Sequence, residues 1–320
     1  MIKEIPLTNG RAAPIARASI VSAGSPMFLD RLAPAIFVLL WSTGWVVAKY
    51  ATFVSEPLTF LAIRYLTAAI LFAGFCIVSG AVWPRDRRTV VHAIVSGAFL
   101  HGLYLGAVWW AIGEGVPAAL SSIIAALQPL MTALAAPFFI GERLSPTQKA
   151  GLCLGFLGVL LAVLPKFFGQ GAAEIPAFAI VVNMLGMAAV TYGTIYQKQY
   201  LPTGDIRAIA TLQYIGALIV TVPLALSLES LHVDFGWAFV ALLGWAVLGI
   251  SMGAILLLLY LLRRGQVSRA ASLIYLVPPI AALQAAAVFG EELTIPMILG
   301  TLIVVAGVYL TNRKDTAPAE

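Results

Sequence analysis

The 320-residue chain is 61% hydrophobic and only 10% charged, with a mean hydropathy of +0.97 and a formal net charge of +5. Soluble domains carry about 25% charged residues, so this composition excludes a water-soluble enzyme, and positive charge dispersed over short segments excludes a nucleic-acid-binding face. What remains is an all-α, polytopic membrane protein in direct contact with lipid.

A hydrocarbon core about 30 Å thick takes about 20 apolar residues per helix, and ten runs of that kind follow one another. Residues 1–31, with Arg11, Arg17 and Arg31, precede the first and read as a flexible cytoplasmic tail, not as a cleaved signal peptide. The predicted spans of the first half are 32–49, carrying Trp41 and Ser42; 58–79, carrying Arg64; 89–112, carrying His101 and Tyr104; 118–138, carrying Gln128 and Pro129; and 148–164. Those of the second half are 174–197, with Tyr192 and Tyr196; 205–228; 235–262, with Trp245; 268–289, with Tyr275 and Pro278; and 295–311. A cytoplasmic tail, 312–320, closes the chain. The connections, such as "GEGVP" at 113–117, leave no room for a soluble domain.

Basic residues orient these spans, because loops that stay in the cytoplasm carry the excess of lysine and arginine. With the N-terminus inside, the inner face receives 16 of the 19 basic residues, and the outer face only Lys49 and Lys166. Both termini are therefore expected in the cytoplasm of a cell whose inner membrane holds the protein.

The chain also repeats itself. "FIGERLSP" at 139–146 and "VFGEELTIP" at 288–296 stand 149 residues apart, and one offset of 149 superposes Gly44 on Gly193, Lys49 on Lys198, Tyr65 on Tyr214, Pro129 on Pro278, Gly151 on Gly300 and Gly158 on Gly307. Over 118–161 there are 12 identities in 44 ungapped positions. Two halves, 32–164 and 174–311, each of five spans, must enter the membrane in opposite senses. That is a 5+5 inverted-topology repeat, the architecture in which a site near the bilayer midplane is presented to alternate faces.

With the repeat, the "WSTGWVVAK" of the first span, the prolines of the fourth and ninth and the "GERLSP" and "GEELTIP" turns, residues 32–311 resemble the EamA-type permeases of the drug/metabolite transporter superfamily. Ser42 stands where that family usually has glycine. Within it the chain looks most like the YddG-like exporters of aromatic and other neutral amino acids. The resemblance implies a facilitative, alternating-access exporter of a small neutral or zwitterionic solute, with no enzymatic activity, no cofactor and no obligate protein partner. The alternatives are a nucleotide-sugar or phosphate-ester exchanger and a proton-coupled drug or metabolite exporter using His101.

Polar groups at membrane depth are costly and are the candidates for mechanism. All 14 acidic residues fall in tails, loops or span ends, so no carboxylate is expected near the midplane, and proton coupling would have to pass through His101. Three-residue spacing puts His101 and Tyr104 on one α-helical face; together they line a cavity, or else His101 bonds a neighbouring helix. Trp41, Ser42, Gln128, Tyr192, Tyr196, Trp245 and Tyr275 supply further aromatic faces and neutral hydrogen-bonding groups for an amphipathic solute. Arg64 either snorkels to the headgroups or serves as a gate or partner for a solute carboxylate. Trp109 and Trp110 read as an interfacial belt. Pro129 and Pro278 are hinges or static bends, each freeing a carbonyl about four residues earlier. His92 and His232 are too distant from His101 to complete a metal site.

Overall fold

The structure, a computed structural model, describes residues 28–140, 144–164, 176–253, 256–257 and 276–312. Among these it is helical throughout, apart from one antiparallel bridge between Ser55 and Val233. The helical segments are α1 Phe28–Ala51, α2 Pro57–Val78, α3 Arg87–Gly113, α4 Ala118–Ala125 continued by Leu127–Ile140, α5 Pro146–Val163, α6 Ala177–Tyr200, α7 Ile206–Leu228, α8 Trp237–Gly253, α9 Val277–Phe289 and α10 Ile295–Asn312. Six of them, α2 to α7, are long and apolar enough to cross a membrane, while α1, α8, α9 and α10 hold shorter apolar stretches. The eighth and ninth predicted spans run into residues outside the described ones.

Local chemistry sets the helix ends. Prolines open α2 and α5, where the missing N–H is not needed. Ser145 and Gln148 form a reciprocal capping box on α5, and the Asp86 carboxylate accepts from Thr89 N at 2.7 Å at the start of α3. The Gly-Glu pair at the end of α9 has a double role. Gly290 takes a left-handed conformation (φ 67°) that stops the helix, and the turn aims the Glu291 carboxylate at the N-terminus of α4, where it accepts from Ala118 N at 2.9 Å and Ala119 N at 2.8 Å. The repeat mate, Gly141-Glu142, lies outside the described residues.

The two halves meet about a pseudo-two-fold axis. On α5 and α10, a Cβ at Gly151 would strike Gly307 O and one at Gly307 would strike Gly151 O; Gly158 and Gly300 block each other in the same way. An offset of 149 turns 151 into 300 and 158 into 307, so the contact pairs are exchanged as a two-fold axis exchanges them. The antiparallel pair α2 and α7 behaves alike. Tyr65 and Tyr214 face each other at 5.9 Å between ring centroids. At one end Glu56 accepts from Ser230 N at 3.1 Å and His232 N at 2.8 Å, in the loop after α7. At the other its mate Asp205 accepts from Val82 N at 3.1 Å, in the loop after α2. Helix α1 packs on α9 as α6 packs on α4.

The two prolines each stand in the first turn of a described helical segment. Helix α4 is interrupted at Ala126, beside the carbonyl that Pro129 leaves without its donor. Pro278 follows Leu276 at the start of the described part of α9, and the carbonyl four residues before it lies outside the described residues.

Candidate solute-binding site

Both repeat-related helices α3 and α8 contain a π-helical stretch, Ala98–Leu103 and Trp245–Gly253. Adding 149 to the first gives 247–252, which falls inside the second, so the duplication carried the feature with it. Such wide turns concentrate at functional sites, and sequence periodicity gives no sign of them. They also change which residues share a face. Gly97 and Gly102, five apart, both abut α7, at Gln213 and at Ala217 and Val220. The His101 ring stacks on Tyr214 of α7 at 5.1 Å, and the backbone carbonyl of Tyr104 faces Gly186 of α6. The two remain neighbours of one group, Tyr65, whose hydroxyl donates to the His101 carbonyl at 2.9 Å and whose phenol lies within electrostatic range of Tyr104.

Arg64 reaches the same region from α2. It does not snorkel, for it is only 5% exposed. Its Nη2 donates to the Ser251 hydroxyl of α8 at 3.2 Å, its guanidinium lies 5.8 Å from the Trp109 ring, and its Nε has no partner. Ser251 also adjoins the Tyr214 phenol. Trp109 is 2% exposed and stacks on Phe60 at 5.4 Å, so it belongs to the interior and not to an interfacial belt. Among the described residues Arg64 is the only buried lysine or arginine. Between α2, α3, α7 and α8 the fold thus gathers one cation, four aromatic or imidazole rings (Tyr65, His101, Trp109, Tyr214) and the Ser251 hydroxyl. The described carboxylates stand at the helix ends.

The profile of the EamA-like transporter family matches residues 32–164 and 177–313, once over each half. The chain is an EamA-like transporter. Among its relatives is the Escherichia coli (strain K12) "probable amino-acid metabolite efflux pump", 26% identical over 296 residues, covering 88% of this chain and 94% of that protein. The Bacillus subtilis (strain 168) "uncharacterized transporter YvbV" is 26% identical over 309 residues, covering 88% and 91%. A solved crystal structure superposes with a TM-score of 0.59 at 18% identity, covering 88% of this chain and 96% of that one; this likeness concerns the fold alone. The EamA-like transporter is thus a multi-pass membrane protein of a transporter family.

The other residues expected at the site are dispersed. Tyr196 lies one turn from the end of α6, where its hydroxyl and His92 Nδ1 approach to 2.6 Å and Tyr200 stacks on His92; this group sits toward the end of the transporter that bears Arg85, Arg87 and Arg88, two and a half turns along α3 from His101. Tyr192 packs on Phe99 at 4.6 Å. Trp245 Nε1 donates to Thr43 Oγ1 at 3.0 Å, tying α8 to α1. Trp41 is exposed and packs at a tilt against Phe37, and Ser42, fully buried, donates to Leu39 O within its own helix. Gln128 is half-buried on α4. Tyr275 lies outside the described residues. Trp109, Ser251, Tyr65 and Tyr214 were missed by the sequence reading. The match of Tyr65 to Tyr214 under the repeat was the available signal for two of them, since mated aromatics on an antiparallel helix pair meet at its axis.

Proposed function

We propose that this EamA-like transporter spans the inner membrane ten times, as a 5+5 inverted repeat with both termini in the cytoplasm, and exports small neutral or zwitterionic metabolites by facilitative alternating access. Aromatic and other neutral amino acids are the solute class, bound beside His101, Tyr104, Tyr65 and Tyr214. The observation that carries this reading is the buried cluster of rings around one under-bonded cation, at repeat-related helices that both carry a wide π-helical turn. The efflux pump named for amino-acid metabolites supports the same class. A phosphate-ester exchanger would need several cations where the described interior holds only Arg64. Half-helix rearrangement at Pro129 would accompany the exchange.

The test is uptake and counterflow in proteoliposomes across a panel of amino acids, with and without a pH gradient. Saturable uptake with transient counterflow and no accumulation driven by the pH gradient is expected. Non-saturable flux without counterflow would indicate a channel. Uphill movement driven by the pH gradient and lost in His101→Gln would replace facilitative transport with proton coupling.

A further inference from the structure

We infer that Arg64 is the receptor for a solute carboxylate, so that the solutes carried are organic monocarboxylates with an apolar or aromatic body, for which the carboxylate is required and the ammonium group is dispensable. The inference rests on the transport reading above and narrows it to a chemical class.

A guanidinium offers five N–H donors in a rigid fork. Among the described residues only Nη2 of the three Arg64 nitrogens has a hydrogen-bond partner, and Nε is buried with none. A buried cation in that condition is costly unless an anion completes it. Among the described residues no carboxylate does so: Glu229 accepts from Leu58 N and Thr59 N at 2.7 Å each, Glu291 caps α4, Glu56 holds the loop after α7, and Asp205 is paired with Arg207. A solute carboxylate would match the open fork with two parallel hydrogen bonds. Ser251 fits the same role, because its oxygen accepts from Nη2 while its hydroxyl lies against the Tyr214 phenol, so that the two hydroxyls form a polar edge beside the fork. A phosphate dianion would call for a second cation, and the described interior has none. An ammonium group would equally call for a carboxylate, and none of the described ones lies there. The rings of Trp109, Tyr65, Tyr214 and His101 then surround the fork with apolar aromatic surface for the body of the solute, although Tyr214 is itself stacked on His101 and Phe72, and Trp109 on Phe60.

The experiment measures ligand-induced thermal stabilisation of the purified full-length protein with four probes: L-phenylalanine, N-acetyl-L-phenylalanine, 3-phenylpropanoate and L-phenylalaninamide. The three carboxylates should stabilise the protein over similar concentration ranges, and the amide should need about tenfold more or fail, a factor matching the loss of a charge-assisted hydrogen bond. Arg64→Gln should lose the preference for the carboxylates; Arg64→Lys, which keeps the charge but not the fork, should retain it at weaker affinity. The wild-type series decides alone if the variants do not fold. Equal response to phenylalanine and its amide would overturn the carboxylate assignment while leaving amino-acid transport standing. Response to the amide and phenylalanine but not to 3-phenylpropanoate would show that the ammonium is required and would overturn it as well. No response to any probe, in a protein that also shows no counterflow, would remove the transport reading together with it.

Discussion

Arg64 and Gln213 occupy the same position in the two halves, 149 residues apart, and their surroundings differ in an instructive way. Gln213 sits where α3 and α7 touch backbone to backbone, and its amide is bonded twice, to Ser96 Oγ at 3.1 Å and Gln197 Oε1 at 3.2 Å. That crossing is made by Gly97, Gly102 and Gly216, none of which has room for a Cβ. Under the repeat their mates on the α2–α8 side are Ala246, Ser251 and Thr67, all with side chains. Helix α8 accordingly meets α2 over a smaller surface than α3 shares with α7, and Arg64 lies in the looser seam with most of its donors free. One repeat position has become a satisfied structural amide. The other has become an unsatisfied charge, as expected of a group that waits for a ligand.

The tight seam should be the more fragile. Gly216→Ala would drive a methyl group into the Ile94 carbonyl, costing about 1–3 kcal/mol or more, and should sharply lower the melting temperature and folded yield; Thr67→Ala at the mated position should stay within about 0.5 kcal/mol. A tolerated Gly216→Ala would break the contrast. Next in size are the carboxylates that join the halves. Glu229→Gln weakens the charged cap on two α2 N–H groups and should cost about 0.5–2 kcal/mol in thermal stability.

At the opposite end, hydrogen bonds from the Arg207 side chain hold the Asp205 carboxyl down to about 2, against the smaller upward push of burial. A depressed carboxylate contributes its stability above the unfolded value and loses it as pH falls through the folded one. The difference in melting temperature between wild type and Asp205→Asn, corresponding to at most about 2 kcal/mol, should therefore be full at pH 6 and shrink between about pH 4 and 2. A small effect is also expected at the link between α8 and α1. Trp245→Phe removes one bond to Thr43 and should cost about 1 kcal/mol.

Much of this was legible in the sequence. Hydropathy gave the helices of the described residues to within a few positions, and the offset of 149 matched the glycines of α5 and α10, and Tyr65 to Tyr214, without showing that the mates touch. Three things were hidden. The π-helical turns leave no trace in hydrophobic periodicity, so the five-residue spacing by which Gly97 and Gly102 both face α7 could not be read. The burial of Arg64 depends on side chains of α3 and α8 that lie far off in sequence, whereas snorkelling is judged from depth alone. Acidic residues assigned to helix ends by exclusion proved to be caps on other helices, because capping across a duplicated fold is a tertiary relation.

The contrast between the seams is tested most directly by measuring phenylalanine counterflow and melting temperature side by side for wild type, Arg64→Gln and Gln213→Leu in proteoliposomes. The account predicts that Arg64→Gln keeps a folded protein and loses counterflow or raises its half-saturation by about tenfold or more, while Gln213→Leu lowers the melting temperature and leaves half-saturation unchanged in the protein that survives. The reverse pattern, with wild-type half-saturation in Arg64→Gln and lost transport in a fully stable Gln213→Leu, would contradict it.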